Sequence, residues 1–482
     1  MQATASSCVH RKVAVLKKKN LLLRFALSLV ILLSLTGTVF AAQLAQLKAV
    51  RWNSDQDNDR IVFELSQAAD HKVTEENNGQ RIVIELMGTT DRAKGKPAVK
   101  SSQVKGIKYD TTLGNKIKII IDLTDPAEYT VNTLKNPQRL YLDIAKNYER
   151  IKKIIVADGI THITYNRRTI DGPLSAHFLA VDNKKYNIRP ALAGGIVKGR
   201  QTTAKIAADN KAVAAINASY FGNDGTIFGY LRIDGTTAGT TCFTRSALGI
   251  RADGSAFVDK LAYNCAVTIG KTTLFASGVN AERGENGLVI YNRYYDKKTG
   301  TNEFGKEYLI RGNIVSLFKG NNSDIPADGY IISVHGTAKN TFRNVRVGDK
   351  VVINENLGPI WNGVPQVIGA GPMLLKNGQV KVTALEEEFP DDIAVGRAPR
   401  TGFGIMPDGQ YLLGIVDGRQ SFSIGCTLTE WAELLKKMGA REAINFDGGG
   451  STEMVLRNRV VNSPSDGKER PVGSALVVLS KK

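Results

Sequence analysis

Between residues 43 and 150, apolar and polar positions alternate with a period of two in four short runs. These are Arg60-Ile-Val-Phe-Glu-Leu65, Arg81-Ile-Val-Ile-Glu-Leu86, Lys116-Ile-Lys-Ile-Ile-Ile-Asp-Leu123 and Arg139-Leu-Tyr-Leu-Asp-Ile144. Such alternation, rich in β-branched residues, predicts half-buried strands. The spacing repeats: Arg60 and Arg81 open one pair of runs, Lys116 and Arg139 a second. Each pair brackets a polar turn, Asn77-Asn78-Gly79 in one and Lys135-Asn136-Pro137 in the other. Two copies of one hairpin-based unit, packed face to face, predict a small all-β sandwich. Residues 151–190 read as a junction, with turn signals at Asp158-Gly159 and Asp171-Gly172-Pro173.

From residue 190 to 482 the pattern is mixed. A short helix is predicted at Thr202–Asp209 and a strand at Ala212–Asn217. A longer helix is predicted at Leu428–Met438, where Thr427 and Glu430 form a capping box. Leu428, Trp431, Leu434, Leu435 and Met438 share one face of it, and Gly439 ends it. Strands are predicted at Ala247–Arg251, Gly287–Tyr291, Tyr330–Val334, Tyr411–Val416, Ala443–Phe446, Glu453–Leu456 and Ser474–Leu479. The expected class is α+β, a sheet-rich mixed domain preceded by the small sandwich. No Rossmann fingerprint or Walker loop is present, since no Gly-Lys-Ser/Thr follows the glycines.

The N-terminus changes the setting. A basic run from Arg11 to Arg24 precedes an apolar stretch, Phe25 to Phe40, and Val39-Phe40-Ala41 places small residues where a signal peptidase cuts. Residues 1–41 read as a secretory signal peptide cleaved after Ala41, with an uncleaved anchor as the rival; no later stretch is apolar enough to span a bilayer. The expected location is secreted or cell-envelope. The chain carries a formal charge of +18. The excess that remains after the leader favours anionic partners such as wall or capsular glycopolymers. No basic helix or aromatic–basic interleaving points to nucleic acid. Export permits disulfides, and either Cys242 pairs with Cys265 or Cys242, Cys265 and Cys426 are buried thiols. No CxxC or His-rich cluster suggests zinc.

Polar residues recur where apolar strands end in glycine-rich turns, the position from which a rigid sheet projects functional groups into a cleft. In Ile444-Asn-Phe-Asp-Gly-Gly-Gly-Ser-Thr452, three glycines can expose backbone amides as an anion nest. Gly448, Gly449 and Gly450 would supply the amides, and Ser451 and Thr452 hydroxyl donors. Arg245, Arg400 and Arg470 present planar forks that suit phosphate, with Thr401 and Arg419 beside them; a buried Arg–Asp pair with Asp417 or Asp447 is the alternative for any one of them. Asp417, Asp447 and Asn carbonyls would suit Mg²⁺ or Ca²⁺, though nothing in the spacing demands a metal or other cofactor.

Residues 43–150 resemble the AMIN-type domains of bacterial envelope proteins, which implies envelope localisation and contact with peptidoglycan. In chain order, Asn217-Ala-Ser-Tyr-Phe221, Arg400-Thr-Gly-Phe-Gly404, Asp417-Gly-Arg419, the amphipathic helix, Asn445–Thr452 and Arg470-Pro-Val472 resemble the phosphodiester glycosidase family. Phe446 and Gly402-Phe403 depart from its usual residues and read as packing changes. The resemblance implies a hydrolase that removes a sugar, GlcNAc-like, from a sugar-1-phosphodiester in an envelope glycopolymer or exopolysaccharide. Asp447 is the first choice for the catalytic carboxylate and Asp417 the second, with Asn217 and Asn445 orienting the sugar or a water. His335 reads as a structural histidine, acid/base work being its alternative. Two other functions fit the same residues: a non-catalytic binder of anionic glycan, and a phosphodiesterase that cleaves P–O.

Overall fold

The computed structural model describes residues 43–481, apart from 56, 170 and 241–243. The leader and Cys242, with its pairing to Cys265, lie outside the described residues. Cys265 and Cys426 are buried.

The N-terminal region contains nine strands: β1 (Ala45–Ser54), β2 (Asn58–Leu65), β3 (His71–Glu76), β4 (Arg81–Met87), β5 (Thr89–Asp91), β6 (Val104–Asp110), β7 (Lys116–Leu123), β8 (Tyr129–Leu134) and β9 (Arg139–Ala145). They form two sheets, β5-β1-β2-β9-β8 and β3-β4-β7-β6. The apolar positions of the four runs meet between them: Phe63, Leu65, Leu140 and Leu142 from one sheet, Ile82, Ile84, Ile119 and Ile121 from the other. Each such side chain contributes about 1.5–3 kcal/mol of burial.

The pairing differs from two self-contained hairpins. The run at Arg60 pairs with the run at Arg139, and the run at Arg81 with the run at Lys116. The polar turns instead close β3–β4 and β8–β9. Each sheet thus takes one central strand from each half. Alternation alone selects a face and leaves the partner open. The charges supply the rest: each run begins with a base and nears its end with an acid, so antiparallel pairing sets base opposite acid. Arg60 meets Asp143 at 2.6 Å and Arg81 meets Asp122 at 2.7 Å.

Residues 151–190 are not an irregular junction. They belong to β10 (Tyr148–Ala157), β11 (Ile160–Thr169), β12 (Gly172–Val181) and β13 (Tyr186–Leu192). The two turn signals are the hairpin turns between β10, β11 and β12. The first of these strands escapes a pattern reading because β10 is mostly exposed on both faces and charged over its first half. The first three open an eight-stranded sheet, continued by Tyr411–Val416, Arg400–Ile405, Glu442–Asn445, Met373–Lys376 and Gln379–Val380. A five-stranded sheet runs β13, Ser474–Ser480, β14 (Ala214–Asn217), Met454–Leu456, Arg459–Val460.

The helix Leu428–Lys437 carries the capping box that its sequence predicts, with both hydrogen bonds formed. It packs Trp431 onto the eight-stranded sheet. A Cβ at Gly402 or Gly414 would lie within 2.9 Å of the indole, so glycine in these two central strands is what lets the helix sit down. Phe403 and Phe446 are fully buried, in keeping with a packing role. Among the described residues, no helix is long and apolar enough to cross a membrane.

Candidate active site

Antiparallel register brings the ends of several strands to one place. Gly402 pairs with Asn445, and Arg400 with Val416, the residue before Asp417. The last residue of β14 ties these ends together. Asn217 is buried; its Nδ2 donates to the Asp447 carbonyl (2.6 Å), and its Oδ1 accepts from Thr401 Oγ1 (2.8 Å) and the Glu453 amide (3.1 Å). Asn217, Thr401 and Asn445 are therefore brought together around the Asp447 loop.

Asp447 stands partly exposed at the centre. Loss of solvent pushes its carboxyl up to about 7. Hydrogen bonds from Ser451 and the Gly448 amide and the charge of Arg470 oppose that rise without cancelling it. Tyr220 feels the charges of Asp447, Arg400 and Arg245, which places all four in one neighbourhood; burial drives the phenol well above its ordinary range. Its hydroxyl donates to the Gly371 carbonyl and accepts from Asn445 Nδ2, both at 3.0 Å. Arg245 stacks over Phe389 with its guanidinium 4.1 Å from the ring centre, and Phe389 packs on Tyr220. Exposed Arg419 lies beside Gly449, and Arg470 against Gly450. Asn445 Oδ1, Thr452 Oγ1 and Ser219 Oγ are buried without a protein partner. An unmet buried acceptor or hydroxyl is costly, so these three atoms keep hydrogen-bonding capacity that a ligand or water could use.

Two expectations change in the structure. The three glycines do not form an open nest. Gly449–Ser451 is a single 3-10 turn, with the Gly449 amide donating to Pro399 and the Ser451 and Thr452 amides folding back onto Gly448 and Gly449. Three consecutive glycines fold as easily onto their own loop as around an anion. Their role is space: a Cβ at Gly450 would fall 2.0 Å from Arg470 Nη2, so the glycine lets that guanidinium lie against the loop. Arg400 is the second case. Its three nitrogens donate to the carbonyls of Cys426, Ile393 and Gly396, and no carboxylate pairs with it among the described residues. Arg400 starts a strand inside the sheet, so its side chain is buried where backbone carbonyls are the available acceptors; it braces the loop around Gly396. The other three arginines stay near the loop: Arg245 over Phe389, Arg419 exposed, and Arg470 held at 2.7 Å by Asp466.

Asp417 is set apart from Asp447. It is 2% exposed, and burial pushes it up to about 7 against hydrogen bonds from Asn462 Nδ2 and the Ser463 amide, each 3.1 Å from Oδ1. Its other neighbour is His177 at 3.9 Å. Burial and neighbouring His162 lower His177 to about 3, so this contact is not an ion pair at neutral pH. His335 precedes the short helix Gly336–Thr341 without a side-chain capping bond, and its ring stacks on Phe304. No group of three or more His, Cys, Asp or Glu that could hold a metal converges among the described residues.

Pattern reading assigned no role to Tyr220, Phe389 or Glu453. Tyr220 lies inside the Asn217–Phe221 motif, which is a signal in itself. Phe389 is silent, following an acidic run. Glu453 follows Thr452; burial, then the Glu469 carboxyl, pushes it up to about 8.

The phosphodiester glycosidase family model matches residues 288–479, and the AMIN domain model matches residues 49–132. The mouse (Mus musculus) N-acetylglucosamine-1-phosphodiester alpha-N-acetylglucosaminidase is 29% identical over 157 residues, 30% of either chain. The Homo sapiens protein of the same name is 43% identical over 67 residues, 14% of this chain and 13% of that one. The chain thus spans less than a third of the length of these relatives. A crystal structure of a hypothetical protein from Synechocystis superposes with a TM-score of 0.64 at 23% identity, covering 91% of this chain and 81% of that one, and shares the fold. Asn217 and Arg245 precede the matched family segment, and geometry rather than similarity brings them to it. The chain joins an AMIN domain to a phosphodiester glycosidase domain.

Proposed function

We propose that this protein is an extracytoplasmic hydrolase that removes a sugar from a sugar-1-phosphodiester in an envelope glycopolymer or exopolysaccharide. The carrying observation is Asp447: a carboxyl with pKa near neutrality, set among Arg245, Arg419 and Arg470 and beside the unmet Oδ1 of Asn445. The names of the curated relatives support the same chemistry.

The bond from the anomeric carbon to the bridging oxygen breaks, and its electron pair leaves on a phosphate monoester. That leaving group is already stable as an anion, so the step needs charge stabilisation more than a strong acid, and the arginines supply it. Water adds to the anomeric carbon. A carboxylate with pKa near 7 is well matched to take the proton of that water at neutral pH. Asp447 is that base, and the orphaned Asn445 Oδ1 orients the water or a sugar hydroxyl. Arg400 and Asn217 hold the loop in register. The AMIN domain, a type associated with peptidoglycan, would keep the enzyme near its polymer.

The test is hydrolysis of α-N-acetylglucosamine-1-phosphodiesters and purified wall polymers in ¹⁸O-water, with and without chelator. Label in the sugar supports the reading, and label in the phosphate means P–O cleavage and overturns it. Affinity for the polymers with no release of sugar means a glycan-binding protein. Loss of turnover with chelator would add a divalent cation to the site.

A further inference from the structure

A second cleft opens where the sandwich meets the eight-stranded sheet. The two regions are joined by ion pairs, Arg168 with Asp125 and Arg150 with Glu75. Beside these pairs lies a cavity of about 200 Å³, room for roughly seven waters at about 30 Å³ each and smaller than a drug-sized pocket. That is the scale of one sugar ring.

Its lining is unlike the catalytic site. The sandwich contributes Asn78 and Gln80 from the turn between β3 and β4. The sheet contributes Asn166 and Ser175, directly paired across β11 and β12 and so on one face. Asp417 and the half-buried ring of Phe422 also line it. Among the described residues no Lys or Arg lines the cavity, so it offers no cationic side chain to a phosphate. Amide and hydroxyl groups that both donate and accept, one carboxyl and one aromatic ring match the alternating hydroxyls and apolar face of a neutral pyranose.

The cleft is also wired to the catalytic loop. Asn462 Nδ2 donates both to Asp417 Oδ1 and to the Thr452 carbonyl, each at 3.1 Å. Two residues after Asp417, Arg419 reaches Gly449.

We propose that the cleft between the sandwich and the sheet is a binding site for a neutral sugar residue of a glycan chain, separate from the arginine-lined site. Binding needs no turnover, so this stands apart from the hydrolase reading.

The test is calorimetric titration of the chain with the uncharged β-1,4-linked trimer of N-acetylglucosamine, in the presence and absence of excess N-acetylglucosamine-1-phosphate. Wild type, Asn166→Ala and Asn78→Gly are compared. Asn78 has φ of 54°, a conformation glycine keeps without strain, so Asn78→Gly removes the amide and spares the turn. The expected result is trimer binding that the sugar phosphate does not displace and that each variant weakens roughly tenfold. No binding by wild type, unchanged binding in both variants, or full displacement by the sugar phosphate overturns the proposal.

Discussion

The sandwich and the catalytic region use the same charged residues to opposite ends. In the sandwich the bases that lead its strands meet acids on the neighbouring strand: Arg60 with Asp143, Arg81 with Asp122, Lys116 with Glu85. In the catalytic region the key charges are left unbalanced. Among the described residues Arg400 meets only carbonyls, Arg419 lies beside a glycine, and Asp417 and Asp447 are desolvated with no cation in hydrogen-bond contact. Paired charges settle which strands lie side by side and leave less over for a ligand, and at the site Arg470, held by Asp466, is the one of this kind. Unpaired ones weaken the fold locally and hold potential in reserve for a substrate that carries charge.

The comparison is broken most sharply at Asp447. Asp447→Asn should lower kcat/KM by about 10³-fold with no fall in melting temperature, because it removes the base, spares the shape and relieves a desolvated carboxylate. In the wild type, kcat/KM should rise with pH through about 7, as the raised carboxyl loses its proton, and then level off. A falling limb through 7 would make Asp447 the acid instead. Next in size, Arg245→Ala and Arg419→Ala should each cost about 10²-fold in kcat/KM, and added salt should narrow the Arg419 difference more, since that side chain is exposed.

Asp417 sharpens the contrast through stability. Its pKa is raised in the fold, so the folded state binds more protons than the unfolded one between about 4 and 7, and stability is lost as pH rises through that window. Asp417→Asn removes this slope. Its unfolding free energy should therefore gain on wild type by a few kcal/mol between about pH 4 and pH 8, as read from denaturant titrations. The smallest effect belongs to the sandwich: Arg60→Ala should cost at most about 1 kcal/mol and leave kcat unchanged, since its partner pair is solvent-facing.

The same contrast explains what could be read without coordinates. The runs at Arg60, Arg81, Lys116 and Arg139 are legible because alternation and charge act locally. So are Tyr411–Val416, found at its predicted bounds, and the capping box at Thr427. Which strand pairs with which is settled over distance, and β10 has too little apolar contrast to declare itself. At the site, residue types pointed to Asn217, Asn445 and Asp447, which the fold ties into one hydrogen-bonded cluster. Function within that set was not legible. Arg245 and Arg400 look alike in sequence, and burial is what separates the half-exposed one from the brace. Asp417 and Asp447 each precede glycine, and only the surrounding sheet sends one to a cleft and the other to the loop.

Asn217 has a consequence in time as well as in space. Its three partners lie 184 to 236 positions further along the chain. Until Glu453 and the final strand are in place, the amide has nothing to hold and the loop nothing to hang from. A nascent or half-threaded chain has no site at all, and activity becomes a signal that folding has run to its end.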